Sequence, residues 1–288
     1  MLRKRKFIIL ITLLLLVTVY YLVYQNNYKE KTGGAYPVIT FDSKVVETTI
    51  AEADANILKG VTAYDAEDGD VTDSILVESI SKFTEPGRSI VTYVAFDSSN
   101  HISSATRELV YTDYESPKIS LHAPLRFVYT SSLNITEEIS AYDSIDGDVS
   151  DRIKYSFADG NDNLAQVGKH PVVLTVSNSR GDVTTLQVAV EIYTETYLER
   201  LNTPQIHLNE YLIYIKKGEQ VDFDSYIKYI MLGDETIRTW ETDEKGLTVE
   251  IDKNDLDINV AGVYSVTYSM ETSSGYRGLT DLIVVVEE

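Results

Sequence analysis

The residues of this chain best placed to do chemistry are carboxylates at short, repeated spacing. Asp65, Glu67, Asp68 and Asp70 stand in a phrase that runs from Ala63 to Ile75. The phrase returns from Ala141 to Ile153 with Asp143, Asp146 and Asp148, and with Ile145 where Glu67 stood. Clustered carboxylates are what a hard, oxygen-preferring cation such as calcium takes as ligands. The spacing excludes a helix-loop-helix calcium loop. With Gly69 as its sixth residue, positions 1 and 3 of such a loop would be Tyr64 and Ala66, which offer no carboxylate. A second reading needs no ion. Asp-Gly is a common tight-turn pair, because glycine accepts positive φ and aspartate bonds nearby amides. Both readings stay open on the sequence.

Other chemistries find little support. The chain has no cysteine, which removes disulfides, thiol catalysis, zinc-thiolate sites and a lipidated cysteine together. His101, His122, His170 and His207 occur singly, none with a second histidine at ligand spacing, and read as strand or surface filling. No nucleophile elbow, phosphate-cradling glycine loop or dinucleotide fingerprint is present. A glycosidase needs two carboxylates across a cleft, and among 45 acidic residues any choice of two would be arbitrary. The expectation is a protein without catalysis.

The elements that must position the carboxylates are strands. Pro37, Pro117 and Pro204 each precede a short alternating segment, and Gly87, Gly168 and Gly262 each open a longer one. Leu186, Val188, Val190 and Ile192 alternate with polar partners; so do Tyr264, Val266, Tyr268 and Met270. Period two with one apolar face predicts antiparallel strands packed on one side. The return of the acidic phrase 78 positions on, with the Pro and Gly entrances, predicts one module used several times. The expected modules span 37–114, 117–194 and 204–288, the third having lost the acidic phrase. Tyr64, Tyr93, Tyr142, Tyr264 and Tyr268 fall at repeat positions read as core-facing. Only 226–232 hints at a helical turn.

The N-terminus reads differently. Arg3, Lys4, Arg5 and Lys6 precede an uncharged run over 7–24 that as a helix would extend roughly 27 Å. No small-x-small cleavage site follows. These features predict a single-pass signal anchor: 1–6 cytoplasmic, 7–24 in the membrane, 25–36 a linker, and everything after it extracellular. The chain carries a formal charge of −20, and its first 31 residues are basic, so the remainder is more acidic still. Such a surface repels nucleic acid.

Residues 61–117 resemble a known module. Asp65, the Glu67–Asp70 run, the strand from Val91 to Asp97 and the closing Asp113 to Pro117 are similar to the bacterial immunoglobulin-like domain first described in a pesticidal crystal protein, related to hyalin-type repeats. The second module departs by Ile145 and by Ser177-Asn178 where Phe96-Asp97 stood. The resemblance implies a tandem of β-sandwiches in a surface-exposed bacterial protein, without enzymatic activity of its own. In such a sandwich the loop after the second strand faces the preceding linker. That arrangement would bring Asp143, Asp146 and Asp148 toward Asp113 and Glu115, as cadherin-type repeats gather calcium ligands at their junctions. Asp97 would reach the same end of module one as Asp65, Glu67, Asp68 and Asp70.

The expectation is therefore an all-β chain: tandem immunoglobulin-like sandwiches behind one transmembrane helix, with calcium as the candidate cofactor. Its function would be binding or adhesion to a protein or cell-wall glycan through module three. The alternative is a scaffold subunit that positions an envelope-associated complex.

Overall fold

The computed structural model describes residues 11–25, 34–129, 134–158, 166–237 and 248–288. Residues 11–25 form a helix, α1, as a run of leucines and other uncharged residues favours. At 1.5 Å per residue its described part extends about 22 Å, short of the ~30 Å apolar core of a bilayer. Among the described residues no helix is long and apolar enough to cross a membrane. This overturns the expected transmembrane signal anchor over 7–24 and the single-pass localisation drawn from it. The basic segment 1–6, residues 7–10 and the linker residues 26–33 lie outside the described residues.

The rest is strand, and the chain divides into two compact units, 1–114 and 115–288. In the first, β1 (Val38–Phe41) and β2 (Val45–Thr48) belong to different sheets. After a single helical turn, α2 (Ala53–Asn56), β3 (Val61–Asp65) pairs antiparallel with β1 and with the two-residue β4 (Gly69–Asp70). The second sheet runs β2-β7-β6-β5, from β5 (Leu76–Ile80), β6 (Arg88–Phe96) and β7 (Ile102–Tyr111), with β2 parallel to β7. A first strand split between two sheets, antiparallel in one and parallel in the other, makes this an immunoglobulin-like sandwich. Every second residue of β6 is buried, and the Tyr93 hydroxyl in that core donates to the Ile57 carbonyl at 2.6 Å.

The second unit repeats the pattern twice. Its first sandwich sets β8 (Lys118–Leu121), β10 (Ile139–Asp143) and β11 (Gly147–Asp148) against β9 (Arg126–Val128), β12 (Lys154–Phe157), β13 (Gly168–Ser177) and β14 (Val183–Tyr193). A one-turn-and-a-half helix, α3 (Tyr197–Asn202), follows with a Thr196–Glu199 capping box. The last sandwich sets β15 (Gln205–Leu208), β17 (Ile227–Leu232) and β18 (Glu235–Ile237) against β16 (Leu212–Lys216), β19 (Glu250–Asp252), β20 (Gly262–Glu271) and β21 (Arg277–Glu287). The helical turn expected at 226–232 is strand β17, preceded by a 3-10 turn over Phe223–Tyr226. Ile227, Tyr229 and Ile230 suit a pleated surface better than a helix.

These two sandwiches share one continuous buried cluster, from Ile119 in β8 to Val286 in β21. Tyr214 of β16 ties them by its hydroxyl, which accepts from the Ile119 amide at 2.9 Å and donates to the Ile119 carbonyl at 3.1 Å.

Candidate functional site

Strand β3 decides where the acidic phrase points. Val61, Ala63 and Asp65 face inward, and period two sends Tyr64 out, 63% exposed. Asp65 itself is only 1% exposed. Tyr142 is likewise 65% exposed while Asp143 is 0% exposed. The core-facing assignment of these two tyrosines is thus reversed, whereas Tyr93 and Tyr268 are fully buried. A carboxylate sits at the rim of the sandwich because the turn behind it supplies amide donors that an aromatic ring could not use.

In the first sandwich, Asp65 Oδ1 accepts the amides of Glu67 and Asp68 at 2.7 and 3.0 Å. Gly69 follows at φ +78°, the left-handed conformation the turn requires of glycine. Asp70 Oδ1 accepts the Thr72 amide at 3.0 Å, and the Thr72 hydroxyl oxygen accepts the Ala63 amide at 3.1 Å. The phrase therefore closes on itself before any ligand is considered.

The β6–β7 loop arrives beside it. Asp68 accepts the Ser98 amide at 2.6 Å and the Ser98 hydroxyl at 2.9 Å. Asp97 Oδ1 accepts the His101 amide at 2.7 Å, and its Oδ2 accepts His101 Nδ1–H at 2.5 Å. One carboxylate oxygen from each of Asp65, Asp68 and Asp97 lies within 4.8 Å of the others, the one such group among the described residues. Asp65 Oδ2 is buried and has no hydrogen-bond partner. A buried acceptor left in this way costs about 1–3 kcal/mol, and more when charged.

Glu67 stands close by. A Cβ placed on Gly34 would meet Glu67 Oε2 at 3.2 Å and His101 Cε1 at 3.1 Å, so both side chains lie against the approach to β1. The Tyr36 ring lies 4.8 Å from the His101 ring on the same side.

The second sandwich reproduces the loop bond for bond until the last contact. Asp143 Oδ1 accepts the amides of Ile145 and Asp146, both at 2.9 Å. Gly147 has φ +75°, and Asp148 accepts the Ser150 amide at 3.0 Å and its hydroxyl at 2.6 Å. Asp146 accepts the Ser179 amide and hydroxyl, each at 2.6 Å, as Asp68 takes Ser98. Here the copies part. Asn178 occupies the place of Asp97, and its Nδ2–H donates to Asp143 Oδ2 at 3.0 Å. Arg152, where the first copy has Ser74, puts its guanidinium on Asp146.

The charges follow from these contacts. Burial raises the Asp97 carboxyl, but the His101 amide and ring outweigh it and hold the group below its usual value. Burial raises Asp146 too, and Ser179 and Arg152 carry it below the usual value. Asp70 and Asp148 are lowered by the hydroxyls, then the amides, of Thr72 and Ser150.

Of the ten carboxylates singled out from sequence, Asp65, Asp68 and Asp97 come together with Glu67 near them. Asp70 and Asp148 cap their own turns. Asp143 and Asp146 are satisfied by Asn178, Ser179 and Arg152. Asp113 accepts the Ile50 amide at 2.9 Å within the first unit. Glu115, in the second, pairs its carboxylate with Lys118 at 3.1 Å, while its backbone meets the Ser144 hydroxyl. Sequence reasoning missed His101. The signal was its place four residues after Asp97 across a hairpin, with Asn100 at φ +65° turning the chain.

A different concavity lies in the second unit. Between its two sandwiches is a cleft of about 600 Å³ lined by Arg126, Lys169, Glu191, Tyr211, Tyr264 and Asp281, among others, with apolar residues such as Leu125 and Ile283 also in the lining. Arg126 is held by Glu191 at 3.0 Å and lies over the Tyr193 ring at 4.3 Å.

No protein-family model matches this chain, and no curated protein matches it. Solved structures do. The CBM51-2 and INT domains of Clostridium perfringens ZmpB, in complex with GlcNAc, match at 20% identity over 54% of this chain and 26% of that one, with a TM-score of 0.22. Drosophila N-cadherin EC1-4 matches at 11% identity over 88% of this chain and 76% of that one, TM-score 0.20. A lipoprotein of Bacteroides thetaiotaomicron matches at 12% over 88% of this chain and 100% of that one, TM-score 0.20. The chain spans about a quarter to a third of the two Clostridium chains it matches.

Proposed function

We propose that this chain is a binding protein without catalysis, whose immunoglobulin-like sandwiches form a scaffold and whose second unit presents the contact surface to a glycan. The cleft between the second and third sandwiches carries the reading. Its volume falls in the ~300–1,000 Å³ range of small-ligand pockets. A sugar ring has an apolar C–H face and a rim of hydroxyls. The cleft offers the counterpart of each in its lining: tyrosine and aliphatic side chains together with Arg126, Lys169, Glu191 and Asp281. The first two sandwiches are further proposed to be of the pesticidal-crystal-protein type, on the strength of the acidic phrase and its closing strand.

The test is binding of the full chain to soluble wall-type polysaccharides, with Tyr264→Ala as the cleft variant. Affinity should fall about tenfold or more in the variant, whose partly exposed ring makes a 3.0 Å hydrogen bond to Val260 that folding can spare. Binding untouched by the variant would move the contact elsewhere. Recovery of one stoichiometric protein partner by crosslinking, with no glycan bound, would favour the scaffold reading instead.

A further inference from the structure

We infer that the first sandwich holds a single calcium ion between its β3–β5 and β6–β7 loops, liganded by Asp65, Asp68 and Asp97, and that the second sandwich holds none. This site is independent of the glycan reading, since it lies in the other unit.

Two observations carry it together. The first is the gathering of three carboxylates within 4.8 Å, a separation that suits oxygens around an ion with ligand distances of about 2.3–2.6 Å. Such a cluster alone would mean little. The second is Asp65 Oδ2, which belongs to a side chain 1% exposed and has no hydrogen-bond partner. Its sister oxygen is already fixed by two loop amides, so the bare oxygen is held in place rather than free to turn toward solvent.

The second sandwich shows what the same oxygen does when no ion is needed. Asp143 Oδ2 takes a proton donor, the Asn178 amide, and Asp146 takes a cation, Arg152. The first sandwich has lost both devices. An acceptor, Asp97, stands where the donor amide stood, and Ser74 stands where the guanidinium stood. Ser74 is engaged in backbone bonds to Val71 and Phe96 and brings no charge. His101 bonds to Asp97 and supplies at most one positive charge against three carboxylates, with Glu67 adjacent. The ligand set is all carboxylate oxygen, which favours a hard cation over zinc, and calcium's tolerance of irregular coordination favours it over the stricter octahedron of magnesium.

The full chain, stripped with chelator and held at ~0.15 M salt so that diffuse surface binding is screened, would be titrated by calorimetry with calcium, magnesium and zinc in turn. One calcium per chain should bind, and magnesium at least tenfold more weakly. Asp97→Asn should cut calcium affinity about thirtyfold or more. In chelator the same variant should unfold at a temperature equal to or above the parent, because the introduced amide can donate to Asp65 Oδ2 as Asn178 donates to Asp143. Asp68→Asn serves as a second variant with the same loss of affinity. The inference is overturned by no heat and no change in unfolding temperature at millimolar calcium, by calcium binding that survives both variants, or by a preference for zinc.

Discussion

The two acidic loops are built from the same backbone, the same glycine and the same pair of captured amides, yet they end in different states of charge balance. In the second sandwich an amide and a guanidinium complete the set, and the loop is a finished turn. In the first, a carboxylate replaces the amide and a buried oxygen is left bare. The difference in charge balance is therefore set by two side chains, Asp97 or Asn178 on the neighbouring loop and Ser74 or Arg152 within the phrase. The carboxylates of the acidic phrase, common to both copies, do not by themselves distinguish the two outcomes.

The largest break in that comparison should come from removing the inward aspartates in chelator. Asp143→Ala strands two loop amides and the Asn178 side chain in a buried rim and should destabilise its unit by about 3–5 kcal/mol in urea unfolding. Asp65→Ala should cost less, because it frees the same two amides but also removes the unsatisfied oxygen. An equal cost at both positions would mean that the bare oxygen carries no penalty.

Next is Asn178→Asp, which imports the first loop's defect into the second. Two carboxylates would then face each other in a buried site, and a loss of about 2–3 kcal/mol at neutral pH is expected by the same unfolding measurement. Tyr214→Phe tests a different contrast, that between a sandwich standing as its own unit and two sharing a core. Loss of the hydroxyl that bridges both backbone groups of Ile119 should cost about 1–2 kcal/mol. It should also make the segment around α3 easier to cleave in limited proteolysis.

Arg152→Ala is the smallest change, about 0.2–1 kcal/mol, since that guanidinium is 40% exposed and Ser179 still holds Asp146. The pH dependence has a definite sign. Asp97 and Asp146 are both held below the ordinary carboxylate value, so the unfolded chain binds their protons first. Their contribution is fully present above about pH 4 and is lost as pH falls through the lowered values. Circular dichroism followed downward from pH 5 should show both loops' sandwiches weakening there, with a shallower slope in Asp97→Asn.

Much of the fold was legible in the residues. The three proline entrances and the glycine-led strands located three sandwiches' worth of strands, because period-two alternation is a local property of a half-buried strand. The third sandwich follows the same strand order although it lacks the acidic phrase. The phase of β3 was not legible. Ala63-Tyr64-Asp65 offers an aromatic and a carboxylate for the core, and hydrophobicity alone favours the ring, whereas the amides waiting behind the strand select the acid. The membrane anchor expected from 7–24 was inferred from an uncharged run, and among the described residues the helix it forms is not long and apolar enough to span a bilayer.

What the amino-acid order determined by itself was therefore the strand period, the repeat, the closed hydrogen-bonded turn, and the Asp97 for Asn178 exchange that distinguishes the two copies. Only the tertiary structure decided that this exchange falls opposite Asp65 Oδ2, that His101 joins it, and that the last two sandwiches share one buried cluster pinned by Tyr214. His101 reaches Asp97 across a four-residue hairpin, but the other two depend on groups brought together between loops or sandwiches, from positions about thirty to a hundred residues apart. Local propensity holds no record of such meetings, because they exist only once the core has closed.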